Sequence, residues 1–405
     1  MPQASALPSF NRTLANTGLS VEARFVLCGV MWLRCVVCCL LCLKLVVPVS
    51  AIDASALATD MTTRYAPYAD WSKVVDVDVL ARQSSSRYWR TAEEIVVARA
   101  EGALPLAGLH LALDPGHIGG QWAEAEGRHF RITENDFYVR EGELVLQVAQ
   151  RAREQLVALG ATVTLLREAN LPVNPRAPID YLQMAAAQVP EPTESTPSAL
   201  WEYGCALRGR AERLSIVTGD LIERARLVNQ VIKPDALISL HINAAAWPKS
   251  ESGFQLVDTN NLHALIFGCM SAGELQVGRQ QAQLAVKLVN ESGAPEYLLG
   301  DALVAALAEA TSLPAARYEG RNAILLDSEQ PYLYARNLLM LRMAECPTVL
   351  LEPYVANSVT AYGRLQAGLA DRAAGRELAE DDILVEYADA VVAGVLACYG
   401  SVAVD

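Results

Sequence analysis

The sequence has no excess of positive charge. Its 405 residues include 33 lysines and arginines against 46 aspartates and glutamates, which gives a formal net charge of −13. Proteins that bind nucleic acid neutralise phosphates with clustered basic side chains, so this balance argues against a nucleic-acid partner. Apolar residues make up 52% of the chain and charged residues 20%. These proportions are typical of a globular protein rather than of a disordered one.

The body of the chain also lacks closely spaced cysteines. Five of the nine cysteines lie before residue 50, and the other four are Cys205, Cys269, Cys346 and Cys398. No two of these four have the spacing of a thiolate zinc site. In an oxidising compartment they allow up to two disulfides, whose pairing the sequence does not assign. The alternative is four buried thiols.

No apolar run near the N-terminus is long enough for a simple membrane-spanning helix. The run at residues 35–47 is interrupted by Lys44 and is shorter than the roughly 20 residues that a span needs. It follows Arg34 and ends in the small residues of 48–51, which is the pattern of a secretory signal peptide. We therefore predict that residues 1–51 are a signal peptide, with Met31 as an alternative start.

This prediction places the mature protein in the periplasm or outside the cell. The alternative is an uncleaved signal that keeps the chain at the membrane, and the membrane contact would then be made only through that segment.

Beyond residue 105, short apolar runs alternate with amphipathic stretches. The hydrophobic pattern predicts strands at residues 109–113, 161–166, 236–242 and 348–351. It predicts helices at residues 144–159, 221–232, 301–311 and 382–398. Strands that alternate with helices need crossover connections. The predicted fold class is therefore α/β, with a mostly parallel twisted sheet flanked by helices on both faces.

Three segments lie outside this regular pattern. Residues 52–105 are predicted to form an N-terminal helical extension of the main domain, which spans residues 106–400. Within that domain, about 169–219 and 247–300 are longer than simple crossovers and are predicted insertions. The second insertion follows a strand that bears a histidine. It is predicted either to add a strand and a helix to the sheet, or to act as a lid that brings an acidic residue to the site.

Two of the five histidines and two glutamates stand where an open α/β sheet binds ligands. His117 follows the first strand, and His241 lies near the end of the third strand. Glu141 sits at the first turn of the helix after His117, where the helix dipole favours a carboxylate, and Glu352 ends the last strand. Each residue alone has an ordinary structural role. Their coincidence at strand ends of one sheet indicates a functional site.

The chemistry of these four side chains is that of metal-assisted hydrolysis. Two imidazoles and a carboxylate are typical ligands of catalytic zinc, which keeps a fourth position for water. Zinc lowers the pKa of that water to about 7. A second carboxylate can accept the proton of the water and pass it to a leaving nitrogen. The residues therefore predict a zinc-dependent amide hydrolase.

The motifs around these residues also resemble those of a known family. The chain reads DPGH at residues 114–117, REGELVLQVA at 140–149, SLHIN at 239–243 and VLLEPYVAN at 349–357. Four motifs in this order are similar to those of the zinc-dependent N-acetylmuramoyl-L-alanine amidases of the type 3 catalytic fold. The resemblance extends over about residues 106–399.

The resemblance implies a role for each matching residue. It makes His117, Glu141 and His241 ligands of Zn²⁺, and Glu352 the catalytic carboxylate, while Glu143 competes with Glu141 for the ligand position. It also implies that Asn243 and Asp114 bind substrate.

The implied reaction is hydrolysis, by a zinc-bound water, of the amide between the MurNAc lactyl group and L-alanine in peptidoglycan. A protein activator is an implied partner, because some division-associated members carry an insert that covers the zinc until a partner moves it.

Two alternatives compete with this interpretation. The first is another zinc-dependent amide hydrolase, such as a carboxypeptidase or a deacylase. Those families commonly place two ligands close together as H-x-x-E, which this sequence lacks. The second is a non-catalytic wall-binding protein with an amidase-like fold, against which the intact set of four residues argues.

Overall fold

The computed structural model describes residues 52–248 and 254–400. The predicted signal peptide, with its five cysteines, lies outside these residues. Within the described ranges, none of the helices has both the length and the apolarity that a membrane crossing requires.

The strands that follow the N-terminal extension are short and mostly buried. They are β1 (His110–Pro115), β2 (His129–Phe130), β3 (Val139–Arg140), β4 (Thr162–Leu165), β5 (Ala236–Leu240), β6 (Leu262–Phe267), β7 (Ile324–Leu325), β8 (Leu333–Arg336) and β9 (Thr348–Pro353). All six residues of β6 are buried, as are all five of β5. Runs of this kind are typical of strands that are covered on both faces.

A seven-stranded sheet forms the centre of the fold, in the order β4-β1-β5-β9-β6-β8-β7. Strands β4, β1, β5 and β9 run parallel to one another, and β6 is parallel to β8. Strand β6 runs antiparallel to β9, and β7 runs antiparallel to β8. The predicted mostly parallel sheet is therefore confirmed.

Helices cover the sheet and form the N-terminal extension. They are α1 (Ala54–Asp60), α2 (Val77–Leu80), α3 (Ala92–Ala98), α4 (Ala123–Glu126), α5 (Glu141–Ala158), α6 (Leu182–Ala186), α7 (Pro197–Arg213), α8 (Asp220–Arg226), α9 (Ala272–Leu275), α10 (Gly278–Val289), α11 (Gly293–Thr311), α12 (Leu339–Met343), α13 (Val359–Ala373) and α14 (Ile383–Tyr399). Alternate residues of β5 face different cores: Ile238 packs with the α5, α11 and α14 side, and Leu237 with the α8 side.

Two helices begin earlier than the sequence predicts. Helix α5 starts at Glu141 rather than at residue 144, because two acidic residues in its first turn are stabilised by the helix dipole. Helix α11 starts at Gly293 rather than at residue 301. Its third residue is Pro295, which the first turn tolerates since those N–H groups have no partner within the helix.

The N-terminal extension packs on the main domain through a buried arginine. Arg64 donates from Nε to the carbonyl of Phe267 at 2.9 Å and from Nη1 to the carbonyl of Gly293 at 2.7 Å. It also forms a buried ion pair with Glu296, whose other oxygen accepts from Nζ of Lys287 at 2.6 Å. The extension is thereby joined to β6 and to the start of α11.

The insertion at 247–300 adds secondary structure to the sheet. Its described part contains β6 and α10, a strand and a helix as in the first alternative. Glu274 caps α9 by accepting from Ser271, and Glu296 is buried against Lys287. These contacts favour the first alternative for the described part of the insertion, while Glu251 lies outside the described residues.

The insertion at 169–219 forms a helical hairpin beside the sheet. A short 3₁₀ turn (Pro178–Tyr181) and α6 pack against α7, around buried Ala185 and Leu214. From α7 the chain continues through a π-helical segment (Leu214–Gly219) directly into α8. This segment brings the hairpin to the edge of the site described below.

The four cysteines of the main domain are free thiols. Cys269 and Cys346 are buried, Cys398 is partly exposed and Cys205 is exposed. None of these cysteines forms a disulfide, which was the first alternative. The second alternative, four buried thiols, fails for Cys205, which is exposed.

The buried ion pair of Glu296 provides a test of how the extension is held. We expect Glu296→Ala to lower the free energy of unfolding by about 3–5 kcal/mol, because it leaves the charges of Arg64 and Lys287 without a partner. Chemical denaturation measures this loss. Glu309→Ala, on the exposed side of the same helix, should cost less than about 0.5 kcal/mol. A similar small loss for both variants would contradict the role of Glu296.

Candidate active site

A sharp turn after β1 presents His117 at the carboxyl edge of the sheet. His117 has a φ of +55°, which a non-glycine residue rarely adopts. The preceding Gly116 lies against the ring of His241, so that a Cβ at this position would overlap the ring. Close approach of the two histidines therefore requires glycine at residue 116.

The turn is held by Arg224, which is 1% exposed. Its Nη1 donates to Oδ1 of Asp114 at 2.6 Å and to the carbonyl of Pro115 at 2.8 Å, and its Nη2 donates to the carbonyl of His117 at 2.8 Å. The hydroxyl of Ser239 donates to Oδ2 of Asp114 at 2.8 Å. Burial alone would raise the pKa of Asp114, but Arg224 and Ser239 lower it.

Both oxygens of Asp114 thus serve the turn. The prediction that Asp114 binds substrate stays a prediction. Asn243, the other residue predicted to bind substrate, accepts a hydrogen bond from the N–H of Ala244 at 2.8 Å and forms a backbone bridge with Val355. Its part in substrate binding also stays a prediction.

The structure brings His117, Glu141 and His241 together. Oε1 of Glu141 lies 3.0 Å from Nδ1 of His241, and Oε2 lies 3.3 Å from Nε2 of His117. One donor atom from each of the three residues lies within 4.8 Å of the others. Glu143 lies apart from them and accepts from the N–H of Gly120 at 3.1 Å.

The donor set fits a divalent metal ion such as zinc, because it combines two imidazole nitrogens with a carboxylate. Burial would raise the pKa of Glu141, yet the neighbouring histidines and Arg128 lower it to about 2. Nε of Arg128 lies 3.3 Å from Nε2 of His117 and 3.5 Å from Oε2 of Glu141. Glu141 is therefore ionised at neutral pH, as a ligand of a metal ion must be.

Glu352 stands at the end of β9, two strands from β1. It pairs in register with His263 of β6. Burial raises the pKa of Glu352 to about 7, since the favourable field of His241 only partly offsets the loss of solvent and the repulsion from Glu141. A carboxyl group with such a pKa can accept and return a proton near neutral pH.

The four predicted residues meet at the wall of a cavity of about 430 Å³. His117, His241 and Glu352 line it directly, and Glu141 contacts both histidines from behind. Leu350 and Glu352 of β9 line one part of the cavity, and Ile216 of the segment that joins α7 to α8 lines another.

Sequence reasoning missed several residues of the site. Glu126 is one of them: its Oε1 lies 3.4 Å from Nδ1 of His117, and its carboxylate accepts from the N–H groups of Ile118 and Gly119. Arg128 and Arg336 also line the cavity. Glu126 and Arg128 lie in the long loop between the first two motifs, where no spacing rule marks them.

The sequence pattern of the N-acetylmuramoyl-L-alanine amidase family matches residues 111–367, which is more than half of the chain. The chain belongs to this family. The match contains the four predicted site residues and both cavity arginines that sequence reasoning missed. The protein is therefore an N-acetylmuramoyl-L-alanine amidase, an enzyme that acts on peptidoglycan.

Solved amidase structures resemble the chain at low identity. The amidase AmiC2 of Nostoc punctiforme is 15% identical, with a TM-score of 0.38, and the match covers 72% of this chain and 97% of that one. Ami1 of Mycobacterium smegmatis is 18% identical, with a TM-score of 0.38 and coverage of 73% and 99%. Ami1 of Mycobacterium abscessus is 19% identical, with a TM-score of 0.39 and coverage of 73% and 100%. A search of curated protein sequences finds no match.

The arrangement predicts which residues retain zinc in this amidase. The wild-type protein, purified without chelator, should carry about one zinc per chain, and His117→Ala or His241→Ala should lose it, because each removes one of three protein ligands. Elemental analysis of the purified protein measures zinc content. His110→Ala, at the opposite end of β1, should keep the metal. Full zinc occupancy in both ligand variants would refute the assignment.

The two glutamates at the start of α5 give a matched comparison within this experiment. Glu141→Gln should weaken zinc retention, whereas Glu143→Gln should leave it unchanged, since only Glu141 contacts the histidines. The reverse outcome would shift the ligand position by two residues.

Proposed function

We propose that this amidase hydrolyses the amide between the lactyl group of MurNAc and L-alanine, with a zinc ion held by His117, Glu141 and His241. The observation that carries the proposal is the convergence of two imidazoles, one carboxylate and Glu352 at one cavity. When bound, zinc supplies Lewis acidity, which lowers the pKa of water and polarises a carbonyl.

Proton transfer and the orientation of the ligands are the roles of residues of the chain. Glu352 accepts the proton of the attacking water and delivers it to the L-alanine nitrogen as the C–N bond breaks. Glu141 keeps its charge because the two histidines stabilise the carboxylate. Glu126, 3.4 Å from Nδ1 of His117, orients the ring so that Nε2 faces Glu141 and the proposed metal position.

The reaction is tested by digestion of purified peptidoglycan with the purified protein and mass analysis of the products. The proposal predicts glycan with free lactyl carboxylates and stem peptides with a new N-terminal L-alanine. Release of single amino acids from the end of the stem would instead support the carboxypeptidase alternative. Intact peptidoglycan after incubation with zinc-loaded protein would support the non-catalytic alternative.

The role of Glu352 leads to a separable prediction. Glu352→Gln should keep zinc and lose about 10²–10⁴-fold in turnover, which is the usual contribution of a general acid–base group. Glu319→Gln, an exposed residue outside the cavity, should keep both zinc and turnover. Loss of zinc from Glu352→Gln would show that Glu352 is a ligand rather than the base.

The same role sets the direction of the pH dependence. Glu352 accepts a proton only when it is ionised, so wild-type turnover should rise with pH through the pKa of this group. That pKa is about 7 from burial and neighbouring charges, and a bound dication lowers it further.

We also propose that the amidase is exported, because residues 1–51 have the pattern of a signal peptide and peptidoglycan lies outside the cytoplasm. The charge balance of the chain argues against a nucleic-acid partner. We also propose that a protein activator binds this amidase. A related amidase, CwlD of Clostridioides difficile, has been solved in complex with the GerS lipoprotein.

Export predicts the N-terminus of the mature protein. Protein recovered from the cell envelope should begin at or near Ile52, as read by N-terminal sequencing or by the mass of the intact chain. An N-terminus that still carries residues 35–47 would support a membrane anchor instead.

A further inference from the structure

Three arginines line the 430 Å³ cavity, and they differ in their partners. Arg224 forms an ion pair with Asp114, and Arg128 forms one with Glu141. Among residues 52–248 and 254–400, no carboxylate forms an ion pair with Arg336 at the end of β8. The cavity of this amidase therefore contains one guanidinium whose charge is left for a ligand.

Neutral groups hold Arg336 in place. Its Nη1 donates to the hydroxyl oxygen of Tyr318 at 3.4 Å, and its Cζ lies 5.6 Å from the centre of that ring. The Tyr318 hydroxyl lies 2.9 Å from Nε2 of His263. Burial and the nearby Arg336 lower the pKa of His263 to about 4, so this histidine is neutral. The network orients the guanidinium without cancelling its charge.

The walls near Arg336 are apolar. They come from the π-helical segment before α8 and from the start of α12, with Ile216, Val217, Leu338, Leu339 and Met340. A ligand that fits here combines an anionic group with a small apolar body. Guanidinium binds carboxylates with paired, directional hydrogen bonds, and Glu352 lies in the same cavity. Because Arg336 and Glu352 line the same cavity, an anionic group that binds Arg336 would belong to the substrate and lie close to the bond that is cut.

A second cavity beside the first is better suited to the glycan part of the substrate. It has a volume of about 340 Å³ and shares Arg128 and Glu141 with the site. It is lined by Phe130 and Trp247, whose ring centres lie 5.0 Å apart. Aromatic faces offer apolar surface against which the C–H groups of a sugar ring can pack. This leaves the cavity of Arg336 to the peptide.

We propose that Arg336 binds the free α-carboxylate of the stem-peptide residue that follows L-alanine. In peptidoglycan this residue is a D-glutamate joined onward through its side chain, so its α-carboxyl group is either free or amidated. Arg336 then makes the amidase selective for stems whose α-carboxyl group is free. This inference rests on the proposed function and names the peptide feature that the site recognises.

The test uses two synthetic muropeptides with identical glycan, one with a free α-carboxyl group at the second residue and one with the α-amide. Wild-type kcat/KM should favour the free acid by about ten- to hundredfold, mainly through KM, which is the range expected for a charge-assisted hydrogen bond. Arg336→Ala should raise KM for the free acid by that factor and leave the amide unchanged. Arg336→Lys should keep part of the preference, since it retains charge without the paired donors.

Two controls make the result specific. Arg317→Ala, an exposed arginine outside the cavity, should keep the full preference. Zinc content should stay at the wild-type level in every variant, and melting curves identify any variant that does not fold. If Arg336→Ala does not fold, Arg336→Gln takes its place, because glutamine can still donate to Tyr318.

Three outcomes would overturn the inference. Equal hydrolysis of both muropeptides by the wild type removes the selectivity while leaving the proposed function intact. An equal loss on both substrates in Arg336→Ala, with a shifted pH profile, would show that Arg336 acts only on the charge of Glu352. Failure of the zinc-loaded wild type to hydrolyse either muropeptide would overturn the proposed function, and the inference with it.

Discussion

The site of this amidase depends on a turn that buried guanidinium groups hold in place. Arg224 bonds to the side chain of Asp114 and to two carbonyls of the turn that ends in His117. A buried arginine is stable only when its charge and donors are satisfied, and here the partners are the carboxylates of Asp114 and Asp220 and two carbonyls of the DPGH motif. Helix α8, which carries Arg224, is thereby joined to the turn, and the unusual φ of His117 is held by contacts that the rest of the domain supplies.

The topology of the sheet places the other residues of the site beside this turn. Strands β1, β5 and β9 are adjacent and parallel, so their carboxyl ends bring His117, His241 and Glu352 to one edge. Helix α5 adds Glu141 from its first turn, where the carboxylate is favoured by both the dipole and the histidines. The histidines and Arg128 lower the pKa of Glu141, whereas burial raises that of Glu352. The two carboxylates of one site therefore differ in how readily they hold a proton.

The sequence predicted the parts of this arrangement that are local. Apolar runs located the central strands, and the motifs located the three donor residues that the fold brings together, because each lies within a few residues of a strand end or helix start. The antiparallel placement of β6 was beyond such reasoning, since register between distant strands leaves no local pattern. Arg336 was missed for the same reason. Tyr318, which it contacts, lies 18 residues before it in the chain, and His263 lies a further 55 residues before Tyr318. Only the folded sheet brings these three residues together.

The central claim is that His117, Glu141 and His241 hold one zinc ion beside Glu352. X-ray absorption at the zinc edge of the metal-loaded wild-type protein tests it most directly. The account predicts two imidazole ligands at about 2.0–2.1 Å and oxygen ligands from a carboxylate and water, with one imidazole fewer in any zinc that His241→Ala retains. A sulfur ligand at about 2.3 Å, or a spectrum that is unchanged in this variant, would contradict the account.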